Sequence, residues 1–167
     1  IRVEVAVAGA AQRIVATATD EVRELALLGI PSAKVSVVPC GVDLERFTPD
    51  GSTRASPSIP ERRTRYRLLS VGRLVPRKGY DTGIEALTRL PETEFLIAGD
   101  ADAVSAPEHD RLVAVAERLG VADRVRLIGQ VAREDMPALL RSADLVVCSQ
   151  WYEPFGMTPV EAMACGT

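Results

Sequence analysis

The sequence is poor in the residues that several classes of protein depend on. Aromatic residues make up 4% of its 167 residues, and it has one histidine. It contains no apolar run near the roughly 20 residues that a membrane-spanning helix needs. Its formal net charge is -3 at pH 7, whereas nucleic-acid-binding surfaces are basic. The composition therefore argues against a nucleic-acid partner and predicts no membrane-spanning segment.

Cysteine is also scarce. Cys40, Cys148 and Cys165 form an odd-numbered set, lack the spacing of a metal site, and lie in or beside apolar segments. Buried thiols without disulfides are typical of a reducing compartment. We therefore predict buried thiols and a cytoplasmic location.

The residues that are present form short apolar runs alternating with helical patterns. Hydrophobic residues make up 47% of the chain, enough for a sizeable core. The predicted strands cover 12–17, 34–39, 66–71, 94–98, 125–128 and 145–148, and the predicted helices cover 19–28, 80–90, 107–119 and 134–142. Such alternation, with right-handed crossovers, predicts an α/β fold with a Rossmann-like, doubly wound parallel sheet.

The end of the chain carries two glutamates around the start of a further helix. Glu153 falls in the loop after a predicted strand, where ligands bind in open α/β sheets. Thr158 is predicted to be the N-cap of this helix, with proline as the first helical residue. The N–H groups of Gly156, Met157 and Thr158 would then face a diphosphate. Glu161 also fits a simpler interpretation, a capping box with Thr158.

A second candidate site lies between predicted strand 66–71 and predicted helix 80–90. Arg73 leaves the end of the strand, and Lys78 precedes the helix. Both cations could neutralise a diphosphate, although such residues are often only solvated surface groups. Arg77 is interpreted as a surface residue. Asp100 and Asp102 match a D-x-D metal motif, which we disfavour because Arg73 and Lys78 already supply positive charge.

These segments resemble one family. Residues 153–167 read Glu-Pro-Phe-Gly-Met-Thr-Pro-Val-Glu-Ala-Met-Ala-Cys-Gly-Thr, which resembles the signature of retaining GT-B glycosyltransferases of family 4. Residues 72–79, Gly-Arg-Leu-Val-Pro-Arg-Lys-Gly, are similar to the phosphate-binding loop of that family. The resemblance implies transfer of a hexose-type sugar from a nucleoside diphosphate sugar, expected to be a UDP-sugar, with retention of anomeric configuration. It implies neither a cofactor nor a metal.

The resemblance also implies residue roles. Arg73 and Lys78 would bind the diphosphate, with Gly72 in the same loop, and Glu161 would bind the ribose hydroxyls. Glu153 would bind hydroxyls of the donor sugar. Backbone groups would line the sugar and distal phosphate at Phe155, Gly156, Met157 and Thr158, and would contact the base at Ile128, Gln130 and Val131. The segment 129–131 also fits a plain connection between strand and helix.

Family members are more than twice this length, so we expect a truncated protein that is inactive by itself. The predicted organisation is the end of an acceptor domain at 1–48, a linker or surface loop at 49–65, and a truncated donor domain at 66–167. The resemblance leaves the acceptor and the oligomeric state undefined and allows peripheral membrane contact through an amino-terminal half. The alternatives are a non-catalytic nucleotide-sugar-binding module or another GT-B enzyme, such as a sugar-nucleotide epimerase.

Overall fold

The computed structural model describes residues 2–53, 57–99, 106–153 and 155–167. The chain divides into two compact units. The first contains Ile1–Gly41 together with Glu153–Met157, and the second contains Val42–Tyr152 together with Thr158–Thr167. The boundaries predicted at 48 and 65 remain predictions.

In the described residues, the first unit combines two short parallel strands with two α-helices and a 3-10 helix at Ser32–Lys34. Its elements are α1 (Arg2–Ala10), β1 (Ile14–Ala16), α2 (Thr19–Leu27) and β2 (Val35–Val37). Strand β1 pairs with β2 in parallel. Gly29 follows α2 with a φ of +81°, a left-handed conformation that glycine adopts at little cost when it ends a helix. Helix α1 was not among the predicted elements.

The second unit contains the larger sheet. Its elements are β3 (Tyr66–Val71), α3 (Tyr80–Ala86), β4 (Thr93–Ala98), α4 (Ala106–Arg118), β5 (Val125–Gly129), α5 (Met136–Arg141), β6 (Leu145–Val146) and α6 (Met157–Ala164). Short 3-10 helices cover Pro76–Lys78, Leu87–Arg89 and Ala122–Arg124. Each long predicted apolar run of this unit therefore forms a strand, in agreement with its periodicity.

The sheet of the second unit has the order β5-β4-β3-β6, and all its neighbouring strands are parallel. The chain moves outward from β3 to β5 and then returns to the other side of β3. In a parallel sheet, a reversal of this kind leaves a crevice outside the carboxyl ends of the strands. The predicted α/β fold with a parallel sheet is confirmed.

Two hydrophobic clusters pack around this sheet. One includes Leu69, Leu96 and Leu139, and the other includes Ile84, Phe95 and Leu112. All residues of β4 are buried, as expected for a central strand covered on both faces. A Cβ added at Gly83 would lie 2.5 Å from Phe95 Cε1, so glycine lets α3 approach β4 closely.

The structure corrects two predictions. Helix α6 begins at Met157, so Thr158 lies in its first turn and is not the N-cap. Within the described residues, no hydrogen bond joins Thr158 to Glu161, which argues against the capping box. Of the cysteines, Cys165 is buried, Cys40 is half-buried and Cys148 is exposed. The prediction of burial is therefore wrong for Cys148, which follows the end of β6 at Val146.

The segment predicted as a linker has no helix or strand at 49–53 or 57–65. It is nevertheless attached to the second unit. Ile59 is 7% exposed and belongs to the first hydrophobic cluster. Arg62 donates hydrogen bonds to Ser142 O at 2.8 Å and to Asp144 Oδ2 at 2.7 Å. These contacts hold the segment against the beginning of β6.

Candidate functional site

Three glycines meet at the carboxyl ends of neighbouring strands. Gly72 follows β3, Gly99 follows β4 and Gly129 ends β5. The Gly72 N–H donates to Ala98 O, and the Gly99 N–H donates to Gly129 O, each at 2.9 Å. A Cβ at Gly99 would lie 2.1 Å from Gly72 O, so the backbones approach more closely than any side chain would allow. The strand ends thus form a floor of backbone groups.

A cavity of about 260 Å³ opens over this floor. It is lined by Val71, Gly72, Arg73, Ala98, Gly99, Gln130, Val131 and Met136. Four predicted site residues, Gly72, Arg73, Gln130 and Val131, therefore share one cavity. Ile128, another predicted base contact, lies in β5 and packs against the first hydrophobic cluster.

The two predicted phosphate ligands in the loop after β3 differ in exposure. Arg73 is exposed, and Lys78 is half-buried. A Cβ at Gly72 would lie 3.2 Å from Lys78 Cε and 3.6 Å from its Nζ, so the lysine side chain lies back over Gly72. The buried Tyr80 donates from its hydroxyl to Arg73 O at 3.3 Å. The loop therefore brings both cations to the carboxyl end of β3.

The loops after β3 and β6 are joined at the topological reversal. The Ser149 hydroxyl donates to Lys78 O, and the Trp151 N–H donates to Arg77 O, each at 3.1 Å. Gly79 has a φ of +65°, and a Cβ there would lie 2.4 Å from Ser149 O. Glycine at this position thus permits both the turn and the close approach of the loops.

Glu161 lies on α6 with its side chain 11% exposed. Its Oε1 is 3.9 Å from Arg133 NH2. Burial raises the pKa of Glu161, and the charges of Arg133 and Arg46 act in the opposite direction. Among the described residues, the carboxylate accepts no hydrogen bond. It therefore keeps acceptor capacity that two hydroxyl groups can use.

Of the other predicted site residues, all but Thr158 belong to the first unit. Glu153 is exposed, Phe155 is half-buried, and Gly156 is buried with a φ of +81°. Met157 begins α6, while Thr158 belongs to the second unit. The roles predicted for these residues stay predictions.

The predicted D-x-D residues, Asp100 and Asp102, lie outside the described residues. In the part of the chain that is described, no group of three or more histidine, cysteine, aspartate or glutamate side chains could hold a metal ion. The helices described in the structure include none with the length and apolar character required to cross a membrane.

Sequence analysis missed Arg133 as a neighbour of Glu161. It also missed a second cavity, of about 190 Å³, at the amino ends of the strands, lined by residues that include Arg62, Arg67 and Arg141. Arg67 donates from Nε to Glu94 Oε1 at 2.8 Å and from NH2 to Pro60 O at 2.9 Å. Arg141 donates to backbone oxygens of Thr48 and Ser52. These guanidinium groups thus form hydrogen bonds with other parts of the chain. Their spacing in the sequence does not indicate that they line one cavity.

The parallel sheet that carries the glycine-floored cavity is shared with solved glycosyltransferases of the GT-B fold. Sucrose-phosphate synthase from Thermosynechococcus elongatus has a TM-score of 0.85 and 30% identity, over 99% of this chain and 42% of that protein. The structure of Anabaena HepE in complex with UDP-glucose has a TM-score of 0.84 and 28% identity, over 99% of this chain and 46% of that protein.

The glycosyl transferases group 1 model matches residues 52–167, and the chain belongs to that family. It is 36% identical over 160 residues to D-inositol 3-phosphate glycosyltransferase from Mycobacterium sp. (strain JLS). That match covers 94% of this chain and 36% of the relative. The chain thus spans little more than a third of the length of this curated relative.

Proposed function

We propose that the protein containing this chain transfers a hexose from a UDP-sugar to an acceptor with retention of anomeric configuration. The observation that carries the proposal is the cavity at the carboxyl ends of β3, β4 and β5, which Arg73 lines and next to which Lys78 lies over Gly72. HepE, a structural neighbour, binds UDP-glucose, which supports the same class of donor here. The family relationship favours an enzyme over a module that only binds nucleotide sugars.

In this proposal, the nucleotide lies along the cavity of the second unit. Arg73 and Lys78 bind the diphosphate, and the backbone at Ile128, Gln130 and Val131 contacts the base. Glu161 accepts hydrogen bonds from the ribose hydroxyls. Glu153 is assigned to hydroxyls of the donor sugar. The N–H groups of Phe155, Gly156, Met157 and Thr158 are assigned to the sugar and the distal phosphate.

The proposed chemistry depends on stabilising the leaving nucleoside diphosphate. The acceptor oxygen attacks the anomeric carbon on the face that the phosphate leaves, and the leaving phosphate oxygen takes the proton of the acceptor. Negative charge develops on the diphosphate as the glycosidic bond breaks. Preorganised cations stabilise such charge strongly because they need little rearrangement during the reaction. Arg73 and Lys78 fill this role without a metal ion.

The proposal includes a cytoplasmic location, because nucleotide sugars and cysteines outside disulfides both fit a reducing compartment. The acceptor remains open. The relatives contain a portion that this chain does not span. In the proposal, the corresponding part of the polypeptide would supply the acceptor-binding site and any peripheral membrane contact. Residues 1–167 alone are therefore expected to transfer no sugar.

A transfer assay on the full-length protein tests the proposal. The protein is incubated with UDP-, GDP- and ADP-sugars and a panel of acceptors, and the anomeric configuration of the product is determined by NMR. We expect an α-linked product from an α-linked UDP-sugar, and activity that survives EDTA. Binding of UDP without transfer to any acceptor would favour the binding module, and an inverted product would contradict retention.

The same assay tests the two cations. Lys78→Ala and Arg73→Ala should each raise the transition-state barrier by about 2–4 kcal/mol, as when an oxyanion-stabilising donor is lost. Arg77→Ala is the matched control, because Arg77 lies in the same loop with an exposed side chain. Near-normal turnover in the Lys78 and Arg73 variants would contradict the diphosphate assignment.

A further inference from the structure

We infer that Arg133 is a positioning residue for Glu161, and that the pair makes nucleotide binding depend on the ribose hydroxyls. This inference rests on the proposed function. It adds a residue from a different element to the nucleotide site and makes this residue a contributor to the ribose contact already proposed for Glu161.

The geometry of the pair leaves the carboxylate available to a ligand. Arg133 lies between β5 and α5, and its NH2 is 3.9 Å from Glu161 Oε1. Charge-assisted hydrogen bonds between these groups are about 2.7–2.9 Å long. At the longer distance, Arg133 attracts the carboxylate without using its lone pairs. Both oxygens can then accept hydrogen bonds from neighbouring hydroxyl groups.

The burial of Glu161 explains why it needs a cation. Its side chain is 11% exposed, whereas that of Arg133 is 66% exposed, so the carboxylate loses most of its solvent while the arginine stays hydrated. A buried carboxylate with no charged neighbour tends to take up a proton. A neutral carboxyl group accepts weaker hydrogen bonds than a carboxylate does. Arg133 therefore preserves the form of Glu161 that binds hydroxyls best.

Arg46 is the other cation that acts on Glu161. Its NH2 is 3.8 Å from Glu134 Oε1, so its charge is shared with a second carboxylate. Arg133 has Glu161 as its only carboxylate neighbour within 4 Å in the described part of the chain. We therefore assign the positioning role to Arg133.

The position of Arg133 in the chain links two parts of the proposed site. It follows Gln130 and Val131, which line the cavity and are the proposed base contacts. One short connection would thus contact the base and also orient the ribose ligand. A 2′-deoxynucleotide lacks one hydroxyl partner for the carboxylate, so it should bind less tightly.

Calorimetric titration of the full-length protein with UDP and 2′-deoxy-UDP tests the inference, with the GDP and ADP pairs as parallel probes. For the preferred base, the wild type should favour the ribonucleotide by about tenfold, the contribution of one charge-assisted hydrogen bond. Arg133→Gln should reduce this preference to about twofold, and Arg133→Lys should retain most of it. Arg89→Gln is the control, since Arg89 is exposed on the same unit.

A double variant separates positioning from a general effect. In a Glu161→Gln background, Arg133→Gln should change the ribose preference no further, because the two residues act as a pair. Melting temperatures should stay close to that of Arg89→Gln, because Arg133 is 66% exposed and its 3.9 Å contact with Glu161 is longer than a hydrogen bond. An unchanged ribose preference in Arg133→Gln would overturn the inference and leave the proposed function intact. Failure of the wild type to bind any of these nucleotides would overturn both.

Discussion

At the scale of single residues, the burial of the Glu161 carboxylate costs stability, and the proposed function assigns the same carboxylate to a ligand. Its carboxylate is largely buried, and within the described residues its nearest charge is Arg133 at 3.9 Å. A carboxylate that stabilises a fold is normally hydrogen-bonded when buried. Glu161 has no such hydrogen bond in the described part of the chain, which fits a side chain placed for a ligand.

Glu161→Gln should separate these two effects. Burial raises the pKa of Glu161 above its ordinary value of 4.5, so protonation favours the folded state. The stability that this proton contributes is fully present below the ordinary pKa and is lost as the pH rises through the raised one. We therefore expect the variant to be at least as stable as the wild type at neutral pH, and relatively less stable in acid.

Thermal unfolding across pH 4–8 and nucleotide titration measure both effects. Nucleotide affinity should fall by about tenfold in Glu161→Gln, because a neutral amide replaces a charged acceptor. Glu117→Gln is the control, since Glu117 is exposed on α4. A loss of stability at neutral pH with unchanged nucleotide affinity would indicate a purely structural glutamate.

At the scale of elements, the conformation of short turns places the site. Gly79 ends the 3-10 helix Pro76–Lys78 with a φ of +65°. It also passes so close to Ser149 O that a Cβ cannot fit. The position of Lys78 thus depends on a backbone contact between the loops after β3 and β6.

Gly79→Ala tests that dependence against a matched glycine. Gly120 has nearly the same φ, +68°, but nothing lies within 4 Å of its added Cβ. Gly120→Ala should cost about 1 kcal/mol for the left-handed conformation. Gly79→Ala should cost about 1–3 kcal/mol more, from overpacking, and should also weaken nucleotide binding. Chemical denaturation and calorimetry compare the variants, and equal losses of stability would contradict the proposed contact.

Local patterns predicted most elements, but not those that depend on tertiary contacts. The run at 66–71 forms β3 with the predicted bounds, because the successive residues Leu68 and Leu69 are buried on opposite faces of the sheet. Residues 2–10 form α1 although Val3, Val5 and Val7 alternate with the period of a strand. The predicted start of α6, with Pro159 as its first helical residue, was two residues late, since the left-handed Gly156 immediately precedes the helix.

Local patterns predicted the candidate site only where its residues lie near one another in sequence, and the family resemblance supplied Gln130 and Val131. Arg73 and Lys78 share a loop, so their convergence followed from a single strand end. The approach of Arg133 to Glu161 joins distant segments, and no local pattern indicates it. The closeness of Gly72 to Gly99 likewise results from strand pairing, which a propensity does not specify.

At the scale of the whole second unit, the sheet has different chemistry at its two ends. The amino ends hold the buried pair of Arg67 and Glu94, with side chains 3% and 1% exposed. Removing one partner of such a pair would leave an uncompensated buried charge. The carboxyl ends hold glycines, the exposed Arg73 and the half-buried Lys78. One end thus uses its charges within the protein, whereas the proposed function assigns Arg73 and Lys78 at the other end to a ligand.

The location of bound UDP in a crystal structure of the full-length protein tests the central claim most directly. The account predicts the diphosphate within hydrogen-bonding distance of Arg73 and Lys78, the base beside Gln130 and Val131, and the ribose hydroxyls on Glu161. UDP bound instead in the cavity at the amino ends, or at the carboxyl ends with its ribose away from Glu161, would contradict it.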